Sequence, residues 1–173
     1  EYRLILRQDN ADLRLMEMGY NIGLVGKDAL VRLNEKKKYI KLEIKNLEKQ
    51  KIDVNNIILG KYGENMDIAA RAVNLLKRPK INYKILYEMG YKSIIPEDKD
   101  RFFIKEVQEQ VEIEIKYEGY IKRQIEQVQN AHKLEKIKIP ESINYELIKQ
   151  ISTETKEKLE KIRPKTLAQA LRI

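Results

Sequence analysis

The sequence predicts an all-α fold, an irregular helical bundle around one long central helix, and three observations carry that expectation. Apolar residues recur at spacings of three and four along most of the chain, which is helical periodicity. Glycine and proline are scarce, at seven and four in 173 residues, and there is no Trp and only two Phe, a composition that disfavours a β-sandwich. The one stretch that alternates like a strand, QVEIEIKYEGYIKRQ at 110–124, sits inside an uninterrupted run far longer than an ordinary strand.

In the opening EYRLILR, Tyr2, Leu4 and Leu6 alternate with other residues, which predicts an extended segment. Asp9 or Asn10 can cap a short helix over residues 11–17, closed near Gly19, and Gly23 and Gly26 then mark a turn. From Asp28, the residues Leu30, Leu33, Ile40, Ile44 and Leu47 form an apolar stripe interrupted by Lys37 and closed by Lys51. This predicts an amphipathic helix of about five or six turns, with the lysine-rich EKKKYIKLEIK on its other face. IDVNNIILGKYGEN reads as a loop or short extended piece. Asn65 is placed to cap a helix running through Ala69, Ala72, Val73 and Leu76, which ends at KRP because Pro79 disfavours helical geometry at Arg78.

Two segments share the pattern Ile-Asn-Tyr, at 81–83 and 143–145. In each, Asn is a candidate N-cap and the preceding Ile can staple onto Leu86 or Ile148. Between them lies the long run from Arg101 to Lys136, with Ile104, Val107, Val111, Ile121, Ile125 and Val128 on one stripe and Ile113, Tyr117 and Tyr120 on a second. The alternation then reports two apolar faces of one helix. Gly119 interrupts it at a cost of roughly 1 kcal/mol relative to Ala, tolerable over so many turns, and is expected to admit a close neighbour. A short helix is expected over 153–162, stopped by Arg163-Pro164, and Thr166 with Gln169 forms a capping box for another. The expected division is a main bundle over 1–140 and the start of a small C-terminal helical subdomain over 141–173, in a chain that reads as a piece of a larger protein.

The net charge is +8, and residues 27–51 hold nine basic residues against four acidic ones, which supplies most of the excess. Such a balance suits an acidic partner, nucleic acid first, or simply a well-solvated lysine face. The absence of Cys excludes disulfides, thiolate metal sites and cysteine nucleophiles and is compatible with a cytoplasmic setting. No apolar run is long enough to span a bilayer, so no membrane association is expected.

No catalytic or metal-binding constellation stands out. Gly19, Gly23 and Gly26 lack the spacing and the preceding strand of a dinucleotide-binding turn. His132, the only histidine, reads as a solvated surface residue, and Glu112, Glu114 and Glu118 as helix-surface partners of Lys116 and Lys122. Binding remains. Arg3, Arg7 and Arg14 suit phosphate contact or base stacking, or else pair with Asp9, Asp12 and Glu17. Lys36, Lys37, Lys38 and Lys41 could track an RNA backbone or stand as a plain solvated face. Lys116, Lys122 and Arg123 mix with Tyr117 and Tyr120, whose rings are expected to pack in the core with the hydroxyls at its edge.

Four stretches, EYRLILRQDNADLRL (1–15), LKRPKINY (76–83), QVEIEIKYEGYIKRQ (110–124) and KIRPKTLAQALRI (161–173), together resemble the C-terminal region of the GidA/MnmG family of tRNA-modifying flavoproteins. The resemblance spans essentially the whole chain. It departs at Ala168 and Leu171, where the family usually has smaller residues. It implies a full-length protein that binds FAD in an N-terminal domain, uses NADH and forms a homodimer. With a partner GTPase, MnmE, such a protein modifies C5 of the wobble uridine of certain tRNAs. The helical C-terminal region is then expected to be non-catalytic, without FAD or NADH of its own. Its expected work is to dock tRNA, through some of the ten basic residues just named, and to meet MnmE and the flavin domain. The alternative is a helical interaction or oligomerisation module without direct tRNA contact.

Overall fold

The computed structural model describes residues 2–53, 59–60 and 70–173. The fold is all-α. The helices are α1 (Ala11–Asn21), α2 (Lys27–Lys49), α3 (Ala72–Leu76), α4 (Tyr83–Glu88), α5 (Arg101–Lys136), α6 (Thr153–Ile162) and α7 (Leu167–Ala170). A 3-10 turn, Tyr145–Leu147, lies before α6. The sole sheet among the described residues is a two-residue antiparallel ladder, β1 (Lys51–Ile52) with β2 (Ala70–Arg71). The chain divides into two compact units, Glu1–Ile121 and Lys122–Ile173. The first part of α5 belongs to one and the remainder to the other.

In the first unit α2 is the organising element. Its inner side carries Leu33, Lys36, Ile40, Glu43 and Leu47, all buried, at spacings of three and four. Ile40 and Leu47 join Leu75 and Leu76 of α3, Ile85 and Leu86 of α4, and Phe103, Val107, Val111 and Ile115 of α5 in one apolar cluster. Fully burying each such side chain contributes about 1.5–3 kcal/mol. The alternating stretch of α5 thus presents Val111 and Ile115 to the core, while Tyr117 is exposed and Ile113 half-buried. The second apolar face exists, but no side chain closes in on Gly119, where a Cβ would meet nothing within 4 Å. The expected close neighbour there is absent among the described residues.

Capping chemistry matches the sequence at several helix ends. Asn82 Oδ1 accepts from the Ile85 amide at 3.1 Å, and Ile81 and Leu86 beside it are fully buried. Asn144 does the same for the Glu146 amide, but it opens a 3-10 turn rather than an α-helix. Thr166 Oγ1 accepts from the Gln169 amide, while the Gln169 side chain turns to the Lys165 amide instead of closing the box on Thr166. The opening segment differs more. Residues 2–6 form a turn closed by the Leu6 amide on the Tyr2 carbonyl at 2.8 Å, so it is not extended. Asn10 stands at the N-cap position of α1, but neither its side chain nor that of Asp9 bonds a helix amide there, because Asp9 is taken by Arg7 and Asn10 by Arg14. α3 begins at Ala72, directly after β2, and the expected cap at Asn65 lies outside the described residues.

Gly90, at φ +89°, ends α4 in a Schellman motif: its amide donates to the Tyr87 carbonyl and the Tyr91 amide to the Leu86 carbonyl at 2.9 Å. That turn delivers Tyr91 to the core, where its hydroxyl donates to the fully buried Glu43 carboxylate at 2.9 Å. The second Glu43 oxygen accepts from the Ile94 amide at 3.0 Å. Burial, and next the Glu43 charge, push the Tyr91 phenol far above its usual range, so it stays a donor. Asn46 adds donations to Tyr91 Oη and to the Lys92 carbonyl, both at 2.9 Å.

The second unit has a small core of Tyr145, Leu159, Pro164 and Ala168. Arg163, at φ +49°, ends α6 in the left-handed region. Its guanidinium donates to the carbonyls of Glu141 and Ile143, pairs with Glu160 and lies 5.7 Å from the Tyr145 ring centre, contacts that offset the backbone strain.

Replacing Glu43 by Ala orphans the Tyr91 hydroxyl and the Ile94 amide together. Thermal or urea denaturation is expected to show a loss of about 2–4 kcal/mol, against about 1 kcal/mol for Tyr91→Phe, which leaves a satisfied amide on Glu43.

Candidate nucleic-acid interface

The ten basic residues singled out in the sequence fall into distinct environments. On α2 they are sorted by helical phase. Lys36 points inward and is 3% exposed, with its Nζ 2.6 Å from Asp12 Oδ2 on α1. Lys37 lies on the flank, 3.2 Å from Glu17. Lys38 and Lys41 face outward and are exposed. They continue into Lys45 and Lys49, also exposed, so that four lysines succeed one another at steps of three, four and four residues. At 1.5 Å per residue these steps place successive ammonium groups roughly 4.5–6 Å apart along one face, close to the spacing of phosphates on a strand. None of the four has an ion-pair partner among the described residues, and Lys38 lies 6.0 Å from the Tyr39 ring centre.

The arginines of the opening segment face differently. Arg3 is exposed. Arg7 Nε donates to both oxygens of Asp9 at 3.0 and 3.1 Å, and Nη1 to the Leu4 carbonyl. The buried Gln110 amide, turned with its oxygen toward Arg7, accepts from Nη2 at 2.8 Å and donates to Asp9 at 3.1 Å. Arg14 donates to Asn10 Oδ1 at 2.8 Å and to the Arg7 carbonyl at 3.3 Å. Arg7 therefore ties the turn before α1 to α5 through Gln110, and Arg14 ties that turn to α1. Glu114, beside them, has its carboxyl raised above the usual range by burial, although Arg7 and Gln110 pull the other way.

On α5, Lys116 spans Glu112 at 2.7 Å and the Pro79 carbonyl at 3.2 Å, which closes the turn after α3 onto the helix. Lys122 and Arg123 are exposed and belong to the second unit. Tyr117 and Tyr120 are not core residues: they are 44% and 60% exposed. His132 is on the surface, 3.4 Å from Glu135, as its sequence context suggests.

Among the described residues, the β2–α3 junction does not fit a dinucleotide cradle. β2 leads straight into α3 at Arg71–Ala72 with no glycine, and a phosphate needs a glycine turn to approach backbone amides there. No three acidic or histidine side chains among the described residues are grouped to hold a metal ion, and none of the helices among them is long and apolar enough to cross a membrane.

Comparison with known proteins agrees with the landmarks read in the sequence. Residues 27–125 match the profile of the tRNA modifying enzyme MnmG/GidA C-terminal helical domain, and residues 127–173 that of the C-terminal helical bundle of the same enzymes. The chain belongs to the MnmG/GidA family. It corresponds to the C-terminal region. Over its whole length it is 46% identical to the tRNA uridine 5-carboxymethylaminomethyl modification enzyme MnmG of Caldicellulosiruptor saccharolyticus, and 40% identical to that of Bacillus subtilis. It spans 27% of the length of each. The structure of Aquifex aeolicus GidA in the form II crystal superposes over 96% of this chain and 25% of that one, with a TM-score of 0.58 and 30% identity.

These environments make two outcomes expected. Lys36→Glu puts two carboxylates against each other in a buried place and is expected to cost about 3–5 kcal/mol in chemical denaturation, whereas Lys38→Glu leaves stability within about 0.5 kcal/mol. For Glu114 the raised carboxyl makes the folded state hold its proton more tightly than the unfolded chain, so that stability is present in acid and lost as pH rises. The neutral variant Glu114→Gln is thus expected to melt higher than the parent at pH 7, with the difference vanishing below the unfolded carboxylate range of about pH 4.

Proposed function

We propose that this chain is the tRNA-docking part of a flavin-dependent enzyme that modifies C5 of the wobble uridine, and that the outer face of α2 is its phosphate-tracking surface. The observation that carries this reading is the row Lys38, Lys41, Lys45 and Lys49, exposed and free of ion-pair partners among the described residues. Family membership supplies the substrate class, since the relatives are tRNA uridine modification enzymes by name. In this reading FAD and NADH are held by the parent protein outside these helices, and the setting is the cytoplasm. Lys37 sits at the margin of the surface, while Lys36, Arg7, Arg14 and Lys116 act by holding α1 and the turn after α3 in place.

A second contact is supported by a different patch. Leu15 and Met18 lie on one exposed face of α1, with Ile22 at its C-cap and Leu24 two residues further on, all more than half exposed. A cluster of that kind on a charge-rich surface suits a protein neighbour. MnmE, the flavin domain and a second copy in a homodimer are the neighbours the family implies.

The test is a salt titration of tRNA binding with the full chain and the Lys38→Glu, Lys41→Glu, Lys45→Glu triple variant. Loss of three phosphate contacts is expected to lower the slope of log affinity against log salt by about 2–3 and to weaken binding at every salt concentration. An unchanged slope with unchanged affinity would rule out α2 as the docking face and leave the protein-interaction module.

A further inference from the structure

Two ion pairs join α1 to α2 among the described residues, and they differ in how deeply they sit. Asp12 and Lys36 meet at 2.6 Å with side chains 25% and 4% exposed, a pair largely sealed into the first unit. Glu17 and Lys37 meet at 3.2 Å with side chains 61% and 31% exposed, so solvent reaches both partners. The difference decides which lysine can change partners. Taking Asp12 from Lys36 would leave a buried charge alone, whereas an exposed pair adds little to stability and is readily exchanged.

Lys37 is also well placed for such an exchange. It precedes Lys38 in the chain and stands one turn before Lys41, two members of the exposed row on α2. Residues four apart on a helix are surface neighbours, about 6 Å from one another along the axis. A polyanion lying on Lys38 and Lys41 therefore passes within reach of the Lys37 ammonium. Glu17, arriving from α1, occupies that ammonium and withholds it from the row. A phosphate and a carboxylate make the same kind of contact with it, an ammonium donating to an anionic oxygen. No proton moves when one replaces the other: the phosphate takes the ammonium and the carboxylate returns to water.

We propose that Lys37 is a further phosphate-binding residue of the α2 face, masked by Glu17 in the free protein and handed to the RNA backbone when RNA docks. The proposal rests on the tRNA-docking reading and adds to it a contact that α1 controls. It carries its own salt signature. A phosphate that binds an unpaired lysine releases a condensed cation, but here the displaced Glu17 gathers one in return. The Lys37 contact thus contributes almost nothing to the salt dependence until Glu17 is neutralised.

The experiment measures the affinity of the full chain for bulk tRNA across a salt series. It compares Glu17→Gln, Lys37→Gln and the two together, with the triple variant of Lys38, Lys41 and Lys45 alongside. Glu17→Gln is expected to tighten binding about two- to fivefold and to steepen the slope of log affinity against log salt by about 0.7–0.9. With Lys37→Gln in place, Glu17→Gln is expected to add nothing, since no lysine is left to unmask. Both side chains reach solvent, so circular dichroism and thermal melting of each variant should match the parent and exclude unfolding as the cause. A gain from Glu17→Gln that persists without Lys37 overturns the proposal, because it reports only the loss of a negative charge. An unchanged affinity for Glu17→Gln while the triple variant loses binding also overturns it, and leaves the docking reading intact. If the triple variant binds like the parent, docking on α2 fails and the masked contact falls with it.

Discussion

The rotation of α2 about its own axis decides which of its lysines meet solvent, and a buried carboxylate sets it. Glu43 is fully enclosed and accepts from the Tyr91 hydroxyl and the Ile94 amide, which come from the turn that Gly90 makes possible. A buried charge with two fixed donors has one satisfactory orientation, and a rotation of α2 by one residue would leave it unsatisfied. With Glu43 inward, Leu33, Lys36, Ile40 and Leu47 are inward too, and Lys38, Lys41, Lys45 and Lys49 must point out. One hydrogen-bonded core group thereby sorts the cations of α2 into structural and available ones.

The same sorting recurs in the opening segment and on α5. Arg7, Arg14, Lys36 and Lys116 each bridge two elements, and each is matched by a carboxylate, a carbonyl or both. They supplement apolar packing where it is thin: α1 has no buried residue, and the ion pairs of Asp12 and Glu17 with α2 add to the part-buried Leu13, which packs against the core. Partly exposed pairs of this kind hold position more than they add stability. The consequence for function is that formal charge overstates what is free to meet a polyanion, and on α2 the free part is the outer row Lys38, Lys41, Lys45 and Lys49.

Much of the fold was legible because helical periodicity, N-caps and proline stops are local. The long helix over Arg101–Lys136, α6 over Thr153–Ile162, and the Asn82 and Thr166 caps are all readable from spacing alone. The site was legible only in part. The stripe read through Leu30, Leu33, Ile40, Ile44 and Leu47 holds three residues of the core line, Leu33, Ile40 and Leu47, but misses Lys36 and Glu43, which are buried where Lys37 and Ile44 are only part-buried, because a polar residue carries no apolar signal even when buried. Read at steps of three and four from Leu33, the line 33, 36, 40, 43, 47 is present in the sequence, and so is 38, 41, 45, 49 opposite. Spacing could not show the partners: that Asp9 faces Arg7 and Gln110 rather than a helix end, or that the second apolar face of α5 at Tyr117 and Tyr120 stays open. Those depend on contacts between residues far apart in the chain.

Photo-crosslinking of the full chain to tRNA, with the attached peptides identified, tests the central claim most directly. Attachment within residues 38–49, with Lys36, Arg7 and Arg14 unmodified, is the result this account predicts. Attachment confined to the turn before α1, or to the inner side of α2, would contradict it.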